Sequence, residues 1–327
     1  MNWPILLLVF ILAFLPAVYY LPKLIRTLNR RKKFLSEDQN KFDKPLVPSL
    51  GGLVVFTSFM FAIISTILLL LLFDSNSFQL EHLLLPLLSI SLVAMLGLAD
   101  DVIPIQKRFT KPVITLYAAI PTMALTYLNT SIFFPFLGEI SLGIFFNLLF
   151  IPLVIVFSAN AINIMEGYNG LGSGMTLIAS TGLLIITILV DNFLGALLMV
   201  SLIAPLLVFF HYNKFPAKIF PGNVGTLFFG AVIAITAIIS KVEFALFVIM
   251  IPFFIHFVLY SRNLYKFKPN MWGVPQIDGT LKCPYKKPYG LMHLLLLKVP
   301  KMTEKKVVNT LLTFEVFFVL LAIALFL

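Results

Sequence analysis

Ten stretches of this sequence are long, apolar and almost free of charge: Trp3–Leu21, Gly51–Phe73, Leu83–Ala99, Pro112–Leu128, Leu142–Phe157, Leu171–Val190, Phe193–His211, Val224–Ser240, Phe244–Tyr260 and Val307–Leu327. A hydrocarbon layer about 30 Å thick is crossed by a helix of about 20 such residues. Continuous rather than alternating apolarity speaks against β spans. Only 12% of the 327 residues are charged, against roughly 25% in a soluble domain. That composition excludes a water-soluble enzyme, a disordered chain and a disulfide-stapled secreted module. The single cysteine, Cys283, has no partner for an internal bridge, and no zinc-type Cys/His spacing occurs. The expected fold is all-α, a polytopic transmembrane helix bundle of about ten spans. We read it as one integral membrane domain over residues 1–327, with long cytosolic loops at 22–50 and 261–306. The first run is not a cleavable signal peptide, because nothing basic precedes it.

Lysine and arginine orient the bundle. Of the 24 such residues, all except Lys241 fall in the loops after spans 1, 3, 7 and 9. The positive-inside rule puts those loops in the cytosol and both termini outside. The same asymmetry accounts for a net charge of +10 without a nucleic-acid partner. In the last long loop the apolar run Tyr289–Leu297 is too short to span. It is expected along the membrane surface or packed under the bundle.

Polar side chains able to do chemistry collect at the cytosolic edge. Asp100 and Asp101 end span 3, where two carboxylates meet the negative end of a helix dipole and each other. Bound Mg²⁺, a lysine or a retained proton would relieve them, and Lys107, Arg108 and Lys111 follow closely; a solvated boundary pair is the plain alternative. After span 5 come Asn160, Asn163, Glu166 and Asn169. Positions 160, 163 and 166 share a helix face, and hard oxygen donors of this kind suit Mg²⁺. Interhelical hydrogen bonding is the alternative reading.

Two further motifs are weaker alone. Phe220-Pro-Gly-Asn223-Val-Gly-Thr226 opens span 8 and offers a helix N-terminus to an anion, although Asn223 would also serve as a simple N-cap. Gly51-Gly52 opens span 2 and could serve a phosphate, a sugar or close helix packing. His256, inside span 9, is read as a packed histidine.

Taken in order and on one face, these motifs resemble the polyprenyl-phosphate N-acetylhexosamine-1-phosphate transferase family, of glycosyltransferase 4 type. The resemblance covers nearly the whole chain. The Asn160–Gly170 run and Asp278-Gly-Thr-Leu-Lys282 look most like the archaeal and eukaryotic dolichyl-phosphate GlcNAc-1-phosphate branch. It implies Asp100 as the acid that deprotonates the lipid phosphate, Asp101 as its catalytic neighbour and Lys111 as the lysine that neutralises the diphosphate. Asn163 and Asn223 would be metal-site residues, Asn169 a nucleotide contact and Phe220 the uracil-stacking ring. Asn160, Glu166 and Gly51 complete the expected substrate-binding set. The implied cofactor is Mg²⁺, with Mn²⁺ as a substitute.

Three positions depart from the family pattern. Asn223 stands where an aspartate is usual, and Pro104 where an amide or acid is usual. Met271-Trp-Gly-Val-Pro275 lacks the usual cation of the sugar-phosphate motif, for which Arg262, Lys266 and Lys268 are candidates.

The implied activity is transfer of GlcNAc-1-phosphate from UDP-GlcNAc to polyprenyl or dolichyl phosphate at the cytosolic leaflet, releasing UMP. It would be the first membrane step of glycan assembly, N-glycans in that branch. Localisation would be the cell membrane, or the endoplasmic reticulum in a eukaryote; the expected partners are both substrates and the bilayer, with a homodimer left open. Alternatives are the same chemistry on another UDP-sugar, an anionic-solute transporter, or an inactive relative that only binds.

Overall fold

A computed structural model describes residues 1–73, 81–105, 110–125, 130–262 and 270–327. The chain is a helix bundle with three small two-stranded antiparallel sheets in its loops. In chain order the helices are α1 (Trp3–Arg31), α2 (Gly51–Phe73), α3 (Glu81–Val102), α4 (Thr110–Ala118), α5 (Ile120–Leu125), α6 (Ile151–Met165), α7 (Leu171–Leu189), α8 (Phe193–Asn213), α9 (Gly222–Ile239), α10 (Glu243–Ile249), α11 (Ile251–Ser261), α12 (Leu291–Lys298) and α13 (Glu304–Ala324).

Eight described helices are long and apolar enough to cross a membrane, or nine if α10 and α11 form one bent span. Two of the ten expected stretches are interrupted. The fourth apolar stretch divides at Ala119 into α4 and α5, both shorter than a span. The ninth breaks at Met250 into α10 and α11, bent by 59°. Pro121 and Pro252 lie just beyond these breaks. Each lacks an N–H for the helical ladder, and its ring crowds the carbonyl four residues earlier. By contrast, α1 carries Pro16 and Pro22 inside it and continues to Arg31. It therefore takes ten residues out of the loop expected at 22–50.

Local chemistry fixes the helix ends. Asn192 caps α8 by accepting from the Gly195 N–H at 2.7 Å, and Thr303 caps α13 through the Lys306 N–H. The axis of the bundle is α9, buried along nearly its whole length against α2, α3, α6 and α8. Where α2 crosses α9, a Cβ on Gly52 would strike the Gly225 backbone. Small residues are how helices approach closely inside lipid, where no hydrophobic force drives them together.

The remainder of the first long loop is a hairpin. Strands β1 (Leu35–Glu37) and β2 (Leu46–Pro48) pair with Leu35 opposite Pro48. Its base is tied to the α8–α9 turn: the Phe220 N–H donates to Pro48 O at 2.7 Å, and the Gly51 and Gly52 N–H groups donate to Phe220 O and Pro221 O. In the last loop the run at 289–297 becomes α12, whose Leu291, Met292 and His293 are buried under the bundle. The Leu291 N–H donates to Nδ1 of the fully buried His256 at 3.1 Å, so His256 is indeed a packed residue.

One ionisable group sits deep in the bundle unpaired among the described residues. Glu315 of α13 is fully buried, and neither carboxylate oxygen has a hydrogen-bond partner among the described residues. An unsatisfied buried polar group costs roughly 1–3 kcal/mol. Glu315→Met, similar in volume and apolar, is therefore expected to raise the thermal midpoint of the detergent-solubilised protein; an unchanged or lower midpoint would show that the carboxyl is satisfied.

Candidate active site

A cleft of about 360 Å³ opens at one end of the bundle. It is lined by Asp101, Lys111, Asn163, Glu166, Asn169, Phe220 and Asn223, together with hairpin residues 36–40, Thr226 and Trp272. Segments up to 236 residues apart in sequence thus share one cavity (Ser36 to Trp272). The N-terminal amine lies at the other end of the chain's fold from it, 3.0 Å from Asp191 in the α7–α8 turn.

The acid pair at the end of α3 is resolved by giving each carboxylate its own cations or dipoles. Asp100 accepts from the Ile105 N–H at 2.7 Å and meets Lys111 Nζ at 2.5 Å. Asp101 turns the other way. Its Oδ1 accepts the Asn223 N–H at 2.8 Å and the Asn223 side-chain amide at 3.0 Å, and its Oδ2 accepts the Val224 N–H at 2.9 Å. The positive end of α9 therefore compensates the negative end of α3. The anion expected at this N-terminus is the chain's own carboxylate. Asn223 does not act as N-cap; it lies within the first turn, which Asp101 caps from outside. Gly222 allows that approach: its φ is +70°, and a Cβ there would meet Asp101 and Ser49.

From Asn223 the network continues. Its Oδ1 accepts from the Asn163 amide at 2.7 Å, and Asn163 also donates to Thr226 Oγ1 at 2.7 Å. With both amide protons so directed, the carbonyl oxygen of Asn163 is the remaining acceptor of that side chain. Glu166 closes α6 at the cleft, with its Oε2 lacking any partner among the described residues. Burial pushes its carboxyl up to about 8, although the Gly172 and Ser173 N–H groups of α7 pull it back down.

Glu166 gives a pH prediction. Between its usual range near 4.5 and about 8, the folded protein holds a proton that the unfolded chain has released. Stability should therefore fall as pH rises through that window and level off above it. Contact with the open cleft softens the effect. In melting curves from pH 5 to 9, Glu166→Gln is expected to flatten this fall; an unaltered slope would exclude Glu166 as its source.

Asn169 is held most tightly. Its backbone N–H donates to Glu304 Oε1 at 2.8 Å, and its side-chain amide donates to Asp38 Oδ2 at 2.8 Å. Lys41 bridges the two acids, with Nζ 3.4 Å from Asp38 and in contact with Glu304. Asn40 donates to Gly167 O at 2.7 Å and accepts from the Gly273 N–H at 3.0 Å. Asp38, Asn40, Lys41 and Glu304 were not among the residues expected from sequence.

Three expected residues do not line the cleft. Asp100 is buried and meets it through its partner Lys111. Asn160 lies a turn deeper in α6 and donates to Val156 O at 2.8 Å. Gly51 packs against Phe209 and Ile219, supporting Phe220 through the backbone bond already described. Of the candidate cations for the last loop, Arg262 is exposed and outside the cleft. Lys107, Arg108, Lys266 and Lys268 lie outside the described residues. Asp278 folds back on Thr280 through bonds of 2.6 and 3.0 Å, in a turn away from the cleft. Pro104 is exposed.

The donor set bears on a metal. No group of three His, Cys, Asp or Glu residues assembles among the described residues. The Asp101 carboxylate and the carbonyl oxygens of Asn163 and Asn223 lie together in the cleft, which the Glu166 carboxylate also lines. That set fits a hard cation such as Mg²⁺, which commonly binds one or two carboxylates and completes its shell with substrate phosphates and water.

A sequence profile described as glycosyl transferase family 4 matches residues 83–241, the region that carries Asp100, Lys111, Asn163, Asn169 and Asn223. A relative from Saccharolobus solfataricus, named "Putative UDP-N-acetylglucosamine--dolichyl-phosphate N-acetylglucosaminephosphotransferase", is 35% identical over 298 residues, 90% of this chain and 89% of its own. The chain belongs to glycosyl transferase family 4. A relative of the same name from Sulfolobus acidocaldarius is 33% identical, again over 90% of this chain and 89% of its own. A phospho-N-acetylmuramoyl-pentapeptide-transferase from Clostridium botulinum is 32% identical over 62% of each chain. Those names support transfer of a sugar phosphate to a lipid phosphate by a multi-pass membrane protein. In the family's terms, Asp101 of the acid pair, Asn163 and Asn169 of the asparagine run and the α9 turn line one cavity.

Proposed function

We propose that this family member transfers GlcNAc-1-phosphate from UDP-GlcNAc to a polyprenyl or dolichyl phosphate, releasing UMP, at the cytosolic leaflet. What carries the reading is the convergence of Lys111, Asn163, Asn169, Phe220 and Asn223 around one cleft at the basic end of a membrane bundle, with Asp100 paired to Lys111 behind it. The acceptor's tail belongs in lipid and its phosphate at the interface, where the water-soluble donor arrives. A transporter would be expected to hold its polar site near the bilayer midplane.

The chain's own groups divide the work by charge. Asp100 takes the proton of the lipid phosphate. The oxygen so freed attacks the sugar-bearing phosphorus, forming the new P–O bond as the bond to the UMP oxygen breaks. Lys111, already beside Asp100, supplies positive charge to the crowded phosphates. Phosphoryl transfer rests mainly on such positioning and electrostatic stabilisation. Phe220 offers a ring face to the base, and Asn169 a hydrogen-bonding edge. Bound Mg²⁺ would be held by Asp101, Asn163 and Asn223, and would screen the diphosphate charge. The test is UMP release by purified protein with lipid phosphate and a panel of UDP-sugars, with and without Mg²⁺. Turnover with UDP-GlcNAc supports the reading, turnover only with another UDP-sugar corrects the donor, and no turnover with any removes it.

A further inference from the structure

Asn169 is only 2% exposed, lines the cleft, and its Oδ1 is buried with no hydrogen-bond partner among the described residues. Its donor nitrogens are engaged: the backbone N–H with Glu304 and the amide nitrogen with Asp38. Which end of an amide faces a ligand is normally ambiguous, but here chemistry decides it. Asp38 is paired with Lys41, so its carboxylate is an acceptor only, and the amide must turn its NH₂ toward it. That leaves Oδ1 as the atom Asn169 offers to the cleft, and a buried acceptor left unmet is costly.

We infer that Asp38, which contacts Asn169 from the hairpin, is a specificity-setting residue: it locks the Asn169 amide so that the site demands a ring N–H donor from the nucleobase. Uracil carries such a donor at its imide nitrogen, between two carbonyl acceptors; cytosine has a bare acceptor nitrogen at the same ring position. A site built around one hydrogen-bonding polarity rejects the mismatched ligand because its own buried group is left unpaired. Asp38 acts here through Asn169 as a positioning residue. Glu304, bound to the backbone N–H, holds Asn169 in place without choosing which end of its amide faces outward.

This inference rests on the UDP-sugar reading, and the test separates the two. Calorimetric titration of the intact protein in nanodiscs with UMP and with CMP is expected to show UMP binding about 10- to 100-fold tighter, the factor that one unpaired buried group supplies. Asp38→Asn frees the amide to present either end, so the preference should shrink to within about threefold. Asp38→Ser, smaller and likewise able to donate or accept, should do the same and covers the case in which the first variant does not fold. Glu304→Gln should weaken both nucleotides alike and keep their ratio. Failure of the wild-type protein to bind either nucleotide would remove the UDP-sugar reading and this inference together. Selective UMP binding retained in the Asp38 variants, or lost equally in Glu304→Gln, would overturn the inference alone.

Discussion

Asp100→Asn should leave a folded protein whose turnover is about 10²- to 10⁴-fold lower, the range that a positioned general base contributes. The change is nearly isosteric. It keeps an oxygen that can accept from the Ile105 N–H, now 2.7 Å from Asp100 Oδ1. What it removes is the basicity and the charge facing Lys111 at 2.5 Å. Initial rates of UMP release at saturating substrates, with a melting curve for each protein, make the measurement. A rate within a few-fold of wild type would exclude Asp100 as the base. The matching change at Asp101 is not diagnostic, because that carboxylate caps α9 through three N–H groups, so its loss would also loosen the helix.

Asn223→Asp should make stability depend strongly on divalent cation. The Asn223 amide lies 3.0 Å from Asp101 Oδ1 and donates to it. A carboxylate there would replace that bond by like-charge repulsion, about 4 kcal/mol for unit charges near 4 Å at an effective dielectric of 20. Without Mg²⁺ the variant should melt well below wild type; with millimolar Mg²⁺ it should recover most of the difference, while wild type moves little. A variant as stable as wild type in chelator would show that the two side chains are not electrostatically coupled. The neutral amide thus explains how the Asp101 carboxylate lies against position 223 without like-charge repulsion.

The site was legible where its residues form local runs. Asp100–Asp101, Asn160 to Asn169 and Phe220 to Thr226 each place several polar groups within a helix turn or two in an otherwise apolar chain. Asp38, Asn40, Lys41 and Glu304 carried no such mark. In sequence they sit in a charged loop and at a helix start, where polar residues are ordinary. Their partners lie 127 to 264 residues away. The acids Glu37 and Asp38 amid a basic loop were the available hint. The two helix breaks escaped notice for a different reason, since apolarity measures length in lipid but not continuity. Pro121 and Pro252 interrupt two runs whose composition reads as unbroken, whereas Pro16 and Pro22 sit inside α1 without ending it. The group that takes the N-terminus of α9, Asp101, was not legible there because it is 122 residues distant from Asn223.

The placement of α9 carries a consequence for handling the protein. Its first turn borders the cleft and its remaining length is the pillar to which α2, α3, α6 and α8 are fastened, by contacts as tight as Gly52 on Gly225. A slide of that pillar by one residue is about 1.5 Å, enough to draw Asn223 and Thr226 out of register with Asn163 while every helix stays wound. Harsh detergents should accordingly silence the protein well before its circular dichroism changes.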